Sequence, residues 1–234
     1  RIEAICESEN IDADFRRVDG WLAAACPDHE ALLRDELEAC QSIGMHVSWA
    51  DRRVAAGLGT GPALLLPRQA RFHPLKYLAG LAAAAREHGA RLHANTPYVG
   101  HRKDARSIVV RTQGGATVTA GAAVFATNSP LNVRPAFHSK QRPDRTYVIA
   151  APVRRGEIAD VLFWDTLDPY HHMRLQPQND EWDLLIVGGE DHRTGTANDM
   201  EQRLVRLEDW ARAEYSAMGE VSTRWSGQIV EHME

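Results

Sequence analysis

The chain has 234 residues, 44% of them hydrophobic and 25% charged, which is the balance of a globular protein that buries a substantial core. Its formal net charge of −5 at pH 7 argues against a nucleic-acid-binding protein, because such proteins usually carry a basic excess. No stretch approaches the roughly 18 apolar residues of a membrane-spanning helix, so no membrane span is predicted. The three cysteines have no metal-ligand spacing, and they predict free thiols in a reducing cytoplasm and no metal site.

The first quarter of the chain predicts two helices and several strands. Residues 1–9 have helical character with no capping residue before them, which suggests that the sequence starts inside a longer protein. Residues 15–24 predict a pair of strands. Residues 27–43 predict a helix, because Pro27 opens it, acidic residues favour its first turn and Gly44 follows its end. Short strands are predicted at 46–49 and 63–66.

The glycine run at residues 57–62 reads GLGTGP and superficially matches a dinucleotide-binding fingerprint. A true fingerprint follows a strand, places its third glycine three residues after the second, and opens a helix. Here Pro62 and an extended segment follow the glycines, so the run predicts a turn.

Residues 72–130 predict a helix followed by strands. Pro74 opens the helix and Gly89 closes it. A hairpin is predicted between 107–112 and 117–119, because a Gly-Gly pair separates the two runs. The predicted apolar face of the helix consists of Leu75, Leu78, Ala79, Ala82 and Ala85. Two further strands are predicted, at 91–94 and, as a buried apolar strand, at 122–126.

The second half of the chain is rich in strands. Asn198 and Glu201 predict a capping box at the start of an amphipathic helix. The adjacent His171 and His172 are predicted to point to opposite faces of one strand, so they cannot chelate one metal ion. Strands are predicted at 147–153, 161–164, 171–176, 183–187 and 221–227, with the third and fourth of these paired.

Four stretches carry a resemblance to a known family: FHPLKYLAGLAAAAREHGARLHANTPYVG, VFATNSP, YHHMRLQP with DLLIVGGEDHRTG, and RWSGQIVE. The order helix, strand, β-meander, strand, polar turn resembles the second half of the flavin-binding domain in the D-amino-acid-oxidase-like family, which includes glycine and sarcosine oxidases. The likeness is greatest to members that carry a C-terminal Rieske domain.

The resemblance implies an α/β (α+β) fold. Residues 72–135 would form a partial Rossmann-like FAD-binding domain. Residues 10–70 and 136–227 would form one discontinuous substrate-binding domain, a mixed or antiparallel sheet with flanking helices. The family's glycine-rich phosphate loop and its C-terminal flavin segment would lie outside this sequence, so we expect a central fragment that alone binds FAD weakly or not at all.

The resemblance also implies cofactor contacts at five positions. In the family, the residue after a Thr-Pro pair meets the adenine through its backbone, and the turn after the last strand borders the cofactor. The alternative interpretation is a plain strand end followed by a turn. The implied cofactor residues are Tyr98, Val99, Ala126, Thr127 and Asn128.

On the substrate side, the resemblance places Arg174 at the flavin face, with Asp191 directed toward the same cavity. Tyr170 is a candidate for the lining of this cavity; the alternative is that, like the other aromatic residues, it packs in the core or on a strand surface. A guanidinium can bind a substrate carboxylate through two hydrogen bonds, and a nearby acid could orient an amine. The alternative is a simple salt bridge between Arg174 and Asp191 across two strands. The family's usual carboxylate-binding arginine is replaced here by Ile229, which puts an α-amino-acid substrate in doubt unless Arg174 takes that role.

The resulting hypothesis is a FAD-dependent amine or amino-acid oxidase or dehydrogenase, whose partner is a small-molecule amine or amino acid. It would transfer a hydride from the substrate carbon next to nitrogen to the flavin. The alternative is a non-catalytic remnant or interaction module that has the substrate-domain fold and no cofactor; a nicotinamide-dependent dehydrogenase is less favoured because no fingerprint is present. An exposed sheet edge beside 91–94 or 122–126 predicts self-association.

Overall fold

The computed structural model describes residues 1–55, 57–127 and 141–232 and has a mixed α/β fold, as predicted. The helices are α1 (Ile2–Ser8), α2 (Glu30–Ser42), α3 (Pro74–Glu87) and α4 (Met200–Glu214). The strands are β1 (Arg16–Ala23), β2 (Ser48–Asp51), β3 (Pro62–Arg71), β4 (Tyr98–Lys103), β5 (Ile108–Thr112), β6 (Thr117–Ala120), β7 (Gln141–Arg154), β8 (Leu162–Asp165), β9 (His172–Pro177), β10 (Trp182–Arg193) and β11 (Thr223–His232). None of the described helices is long and apolar enough to cross a membrane.

Eight strands form one large sheet in the order β11-β7-β10-β9-β8-β1-β3-β2, and β4, β5 and β6 form a second, antiparallel sheet. All pairs in the large sheet are antiparallel except β1 and β8, which run parallel with Gly20 opposite Leu162. This parallel seam joins strands from the first 71 residues to strands that begin at residue 141.

The main core lies between the large sheet and α4. Successive strand residues point to opposite faces, so every second residue of β7, β9 and β10 faces the helix. Leu207 of α4 is fully buried against this face. The strand residues that share the core include Phe163, Met173, Leu175, Leu185, Val187, Tyr147, Ile149 and Ala151.

The opposite face of the large sheet is covered by α2 at the β1–β3 end, where Leu33 and Cys40 pack against Leu64. Over β8, β9 and β10 this face carries partly exposed side chains instead. We call this region the outer face and define it by Trp164, His172, Arg174, Ile186 and Gly188, whose positions follow from the strand registers.

Helix α3 packs in the reverse sense to that predicted. Its Tyr77 is buried in a small cluster with Cys6 of α1 and with Ala13, whereas Leu75 and Leu78 of the predicted core face are 71% and 58% exposed. The helix is apolar on both sides, so its periodicity alone could not decide which side packs.

The strands predicted at 91–94 and 122–126 are not formed. Val124 is 90% exposed, and among the described residues neither segment has a paired strand beside it. An apolar run becomes a strand only where a neighbour supplies hydrogen-bond partners for its backbone, and composition does not reveal that neighbour. The sheet edge on which self-association was predicted is therefore not formed either.

Other local predictions have mixed outcomes. The helix at 27–43 is confirmed as a 3-10 turn followed by α2, the hairpin is confirmed as β5 and β6, and the glycine run is confirmed as a turn leading into β3. The strand pair at 15–24 is wrong, because β1 is one strand with a bulge between Val18 and Gly20. The capping box is also wrong: Asp199 is the N-cap residue of α4, and its side chain makes no capping hydrogen bond.

Candidate functional site

The candidate site lies on the outer face of the large sheet, where three strands meet side by side. His172 on β9 stands opposite Trp164 on β8 and opposite Gly188 on β10. Trp164, His172 and Tyr170, which precedes β9, line an open pocket. Two aromatic side chains and an imidazole therefore form one wall of this face.

Arg174 lies two residues along β9 from His172 and on the same face. Its Nη1 donates a hydrogen bond of 3.2 Å to Oε1 of Gln176, and it makes no ion pair with any residue in the described part of the chain. Burial lowers the pKa of the Arg174 guanidinium, and the nearby charge of Arg71 lowers it further. A partly buried cation without a counter-ion is costly, so this arrangement suits an anionic ligand.

Asp191 lines a second cavity together with Tyr170, Asp168 and His192. One of its carboxylate oxygens, Oδ1, is buried and has no hydrogen-bond partner. Burial raises the pKa of the Tyr170 hydroxyl, and the negative charge of Asp191 raises it further. The structure therefore brings Tyr170 and Asp191 together in one cavity.

Arg174 and Asp191 are not brought together, and the predicted alternative of a salt bridge between them is wrong. Arg174 stands opposite Ile186, and Asp191 lies five residues further along β10, which is about 16 Å of regular strand at ~3.3 Å per residue. The guanidinium is also turned toward Gln176. Arg174 does not line the cavity to which Asp191 contributes.

A bulge in β10 presents Asp191 to its cavity. The register with β7 shifts between Gly189 and His192, and Glu190 has a positive φ of 58°. Helix α4 holds the bulge, because Arg203 donates to the Glu190 carbonyl at 2.8 Å and Arg206 donates to the Glu190 carboxylate at 2.8 Å. The irregular backbone is thus fixed by two arginines of the packed helix.

The two adjacent histidines point to opposite faces, as predicted. His171 is buried on the α4 side, where its Nδ1 lies 3.1 Å from Oδ2 of Asp165 and its ring stacks on Trp210 at 4.1 Å. His172 faces outward with a buried Nδ1 that lacks a hydrogen-bond partner, and burial lowers the pKa of its imidazole.

Sequence reasoning missed His172 as a site residue. The available signal was Gly188, because a glycine inside a strand often marks a close approach by another group. A Cβ atom at Gly188 would lie 2.4 Å from both Cε1 and Nε2 of the His172 ring.

The predicted cofactor residues lie in and near the small sheet. Tyr98 begins β4, its hydroxyl lies 2.6 Å from Nδ1 of His101, and its ring meets Phe125 edge-on at 5.2 Å. The strand β4 and the segment before Thr127 are therefore adjacent. Val99, Ala126 and Thr127 are exposed, whereas Asn128 lies outside the described residues.

Comparisons with known proteins agree with this architecture. Residues 1–232 match the model of the DAO family, described as FAD dependent oxidoreductase. The chain is 24% identical over 213 residues to YhfW of Bacillus subtilis (strain 168), which is named as a Rieske 2Fe-2S iron-sulfur protein; the match covers 91% of this chain and 41% of YhfW.

Among solved structures, glycine oxidase from Geobacillus kaustophilus has a TM-score of 0.80 at 18% identity, covering 99% of this chain and 64% of that one. L-proline dehydrogenase from P. horikoshii has a TM-score of 0.76 at 17% identity, covering 97% of this chain and 64% of that one. The chain thus spans about two fifths of the curated relative and less than two thirds of these structures. The predicted resemblance is confirmed, and the chain belongs to the DAO family of FAD dependent oxidoreductases.

Proposed function

We propose that the protein is a FAD-dependent oxidoreductase that acts on the CH–NH group of a small amine or amino acid. The observation that carries the proposal is the uncompensated guanidinium of Arg174 on the outer face. In this role Arg174 would bind a substrate carboxylate through two charge-assisted hydrogen bonds. The family match and the names of the similar structures, glycine oxidase and L-proline dehydrogenase, support the same class of reaction.

The pocket lined by Trp164, Tyr170 and His172 fits the ring system of a flavin better than it fits the phosphates of FAD. Trp164 and Tyr170 offer flat apolar surfaces, and the orphaned Nδ1 of His172 offers a buried polar atom to a polar ring edge. When bound, FAD would supply the hydride acceptor. We propose that its remaining contacts come from Tyr98, Val99, Ala126, Thr127 and Asn128.

The phosphates lack an equivalent cradle in the described part of the chain. The run at 57–62 is a turn that leads into β3, so it does not open a helix whose N-terminus could bind a pyrophosphate. We therefore propose that this chain by itself retains FAD weakly or not at all.

Tyr170 and Asp191 would contact a different part of the substrate from Arg174. Asp191 has an unsatisfied buried carboxylate oxygen, which suits an N–H donor of an amine. Asp191 lies five residues along β10 from Ile186, the residue opposite Arg174. We therefore propose that Arg174 and Asp191 bind opposite ends of an extended substrate.

The test is anaerobic reduction of the FAD-loaded full-length protein, followed through loss of the flavin's visible absorbance as candidate amines and amino acids are added. Arg174→Gln should raise KM for a carboxylate-bearing amine roughly 10–100-fold, because a hydrogen bond to a charged group contributes ~1.5–3 kcal/mol. Arg86→Gln, at an exposed position of α3, is the matched control and should leave KM unchanged. Protein that stays colourless with added FAD and oxidises none of these substrates would favour a non-catalytic module instead.

Three further proposals accompany this function. We propose a cofactor domain at 72–135 and a substrate domain at 10–70 and 136–227, supported by the single sheet that strands from both outer segments share. The three free thiols, two of them buried, support a reducing cytoplasmic compartment. We propose that self-association would use exposed apolar residues of the proposed cofactor domain, of which Leu75, Leu78 and Val124 are the most exposed among the described residues.

A further inference from the structure

Arg174 differs from its neighbour Arg71 in the kind of partner that holds it. Arg71 is paired with Asp160 through two short hydrogen bonds of 2.6 and 2.7 Å, so its charge is neutralised. Among the residues that the structure describes, Arg174 is held only by the neutral amide oxygen of Gln176. The two guanidinium groups interact electrostatically, yet only one of them has a counter-ion in the described part of the chain.

The orientation of the Gln176 amide is fixed from its other end. Gln176 is buried, and its Nε2 donates a hydrogen bond of 2.9 Å to Oδ2 of Asp14. The second oxygen of Asp14 accepts a hydrogen bond of 2.8 Å from Nζ of Lys76, in the first turn of α3. The Lys76 ammonium holds the pKa of Asp14 below its ordinary value, so Asp14 is ionised at neutral pH.

An ionised carboxylate accepts hydrogen bonds and donates none. Asp14 therefore requires the NH₂ group of Gln176, and the carbonyl oxygen of the same amide must face Arg174. A reversed amide would place NH₂ against the guanidinium and leave two buried donors facing each other. The hydrogen-bonded series Lys76–Asp14–Gln176–Arg174 therefore has one orientation of the Gln176 amide in which every donor faces an acceptor.

We propose that Gln176, locked by Asp14 and Lys76, is a positioning residue that aims the Arg174 guanidinium without neutralising it, so that its charge remains for the substrate carboxylate. This inference rests on the proposed function, in which Arg174 binds that carboxylate. A neutral acceptor is what such a role requires, because an acidic side chain at position 176 would form the kind of closed ion pair that Asp160 forms with Arg71.

The experiment measures binding of acetate, the simplest carboxylate probe, to the full-length protein. The readouts are calorimetry and the ¹H–¹⁵N resonance of the Arg174 Nε–H group, assigned with Arg174→Lys. Gln176→Glu should weaken acetate binding at least ~10-fold, because the new carboxylate pairs with Arg174 and competes directly with the probe. In the enzyme assay the same variant should raise KM for a carboxylate-bearing substrate and change kcat much less.

The matched control is Gln178→Glu, which makes the same substitution at an exposed position two residues further along the chain and should bind acetate within twofold of the unchanged protein. Gln176→Met and Asp14→Asn repeat the test if Gln176→Glu does not fold; each should weaken acetate binding and broaden the Arg174 resonance. Acetate binding within twofold of the unchanged protein in a folded Gln176 variant would overturn the inference. Acetate binding that depends on Arg174 and Gln176 in a protein that turns over no substrate would instead contradict the proposed function and support the positioning role.

Discussion

The two sheets of this protein are built from similar sequence patterns but have very different surroundings. In the large sheet, α4 covers one face of β7 and neighbouring strands flank both of its edges, so Tyr147, Ile149 and Ala151 are buried in the core. In the small sheet, the β6 residues from Thr117 to Thr119 are all exposed. Alternating or apolar composition therefore predicts a strand, but only a covering layer turns that strand into part of a core.

The contrast should be largest between a side chain that packs on the large sheet and a side chain of the small sheet. Leu207→Ala removes a fully buried side chain from α4 and should lower the free energy of unfolding by about 2–5 kcal/mol. Val118→Ala, on a β6 side chain that is 55% exposed, should change it by less than about 0.5 kcal/mol. Urea denaturation measures both, and equal losses would remove the distinction between the sheets.

Replacing a carboxylate should also cost more unfolding free energy in the large sheet than in the small sheet. Asp165 accepts hydrogen bonds from the backbone of Leu167 and His171 at 3.1 and 2.9 Å, besides its contact with the His171 ring. Asp165→Asn should cost about 1–3 kcal/mol of unfolding free energy, because one acceptor becomes a donor in a buried network. Asp104→Asn breaks only an exposed pair with Arg102 and should cost under about 0.5 kcal/mol by the same denaturation assay.

The hydrogen bond between Asp14 and Gln176 should weaken in acid. The pKa of Asp14 is held below its ordinary value by Lys76, so the stabilisation it provides is complete above the unfolded pKa and is lost as pH falls through the folded pKa. Below about pH 4 the side-chain amide resonances of Gln176 should shift toward solvent-exposed values. Asp14→Asn should abolish this pH dependence, and an unchanged titration in that variant would assign it to another group.

The smallest effect is expected in the small sheet. Tyr98→Phe removes the hydroxyl that lies 2.6 Å from Nδ1 of His101 but keeps the ring against Phe125. The bond is solvent-exposed, so the unfolding free energy should change by about 0.5 kcal/mol or less. A loss above about 1 kcal/mol, again by denaturation, would mean that this sheet is more cohesive than its exposure indicates.

Local sequence signals predicted the features that depend only on neighbouring residues, such as helix ends and the alternation of side chains along a strand. Pro74 and Gly89 marked the ends of α3, and strand geometry alone placed His171 and His172 on opposite faces. The errors arose where a distant partner decides the outcome. Whether 122–126 becomes a strand, and which side of α3 packs, depends on neighbours that composition does not specify.

The candidate site also has parts that the sequence could predict and parts that depend on distant residues. Tyr170 and Asp191 were both named as candidates from the sequence, and both line one cavity. The setting of Arg174 was not predictable, because its orientation depends on Gln176 and on Asp14, which lies 162 positions away from Gln176 along the chain. Side-chain hydrogen bonds across such separations leave no periodic trace in a sequence.

The parallel seam between β1 and β8 also constrains how the protein can fold during synthesis. The antiparallel pair of β1 and β3 is complete at Arg71, but β8, the parallel partner of β1, begins only at Leu162. At ~5–20 residues per second, the β1–β3 pair waits roughly 5–18 s for that strand to leave the ribosome. Throughout this interval the backbone edge of β1 next to Trp21 is open to pairing with other chains. The yield of folded protein should therefore depend on the rate of translation between these two strands.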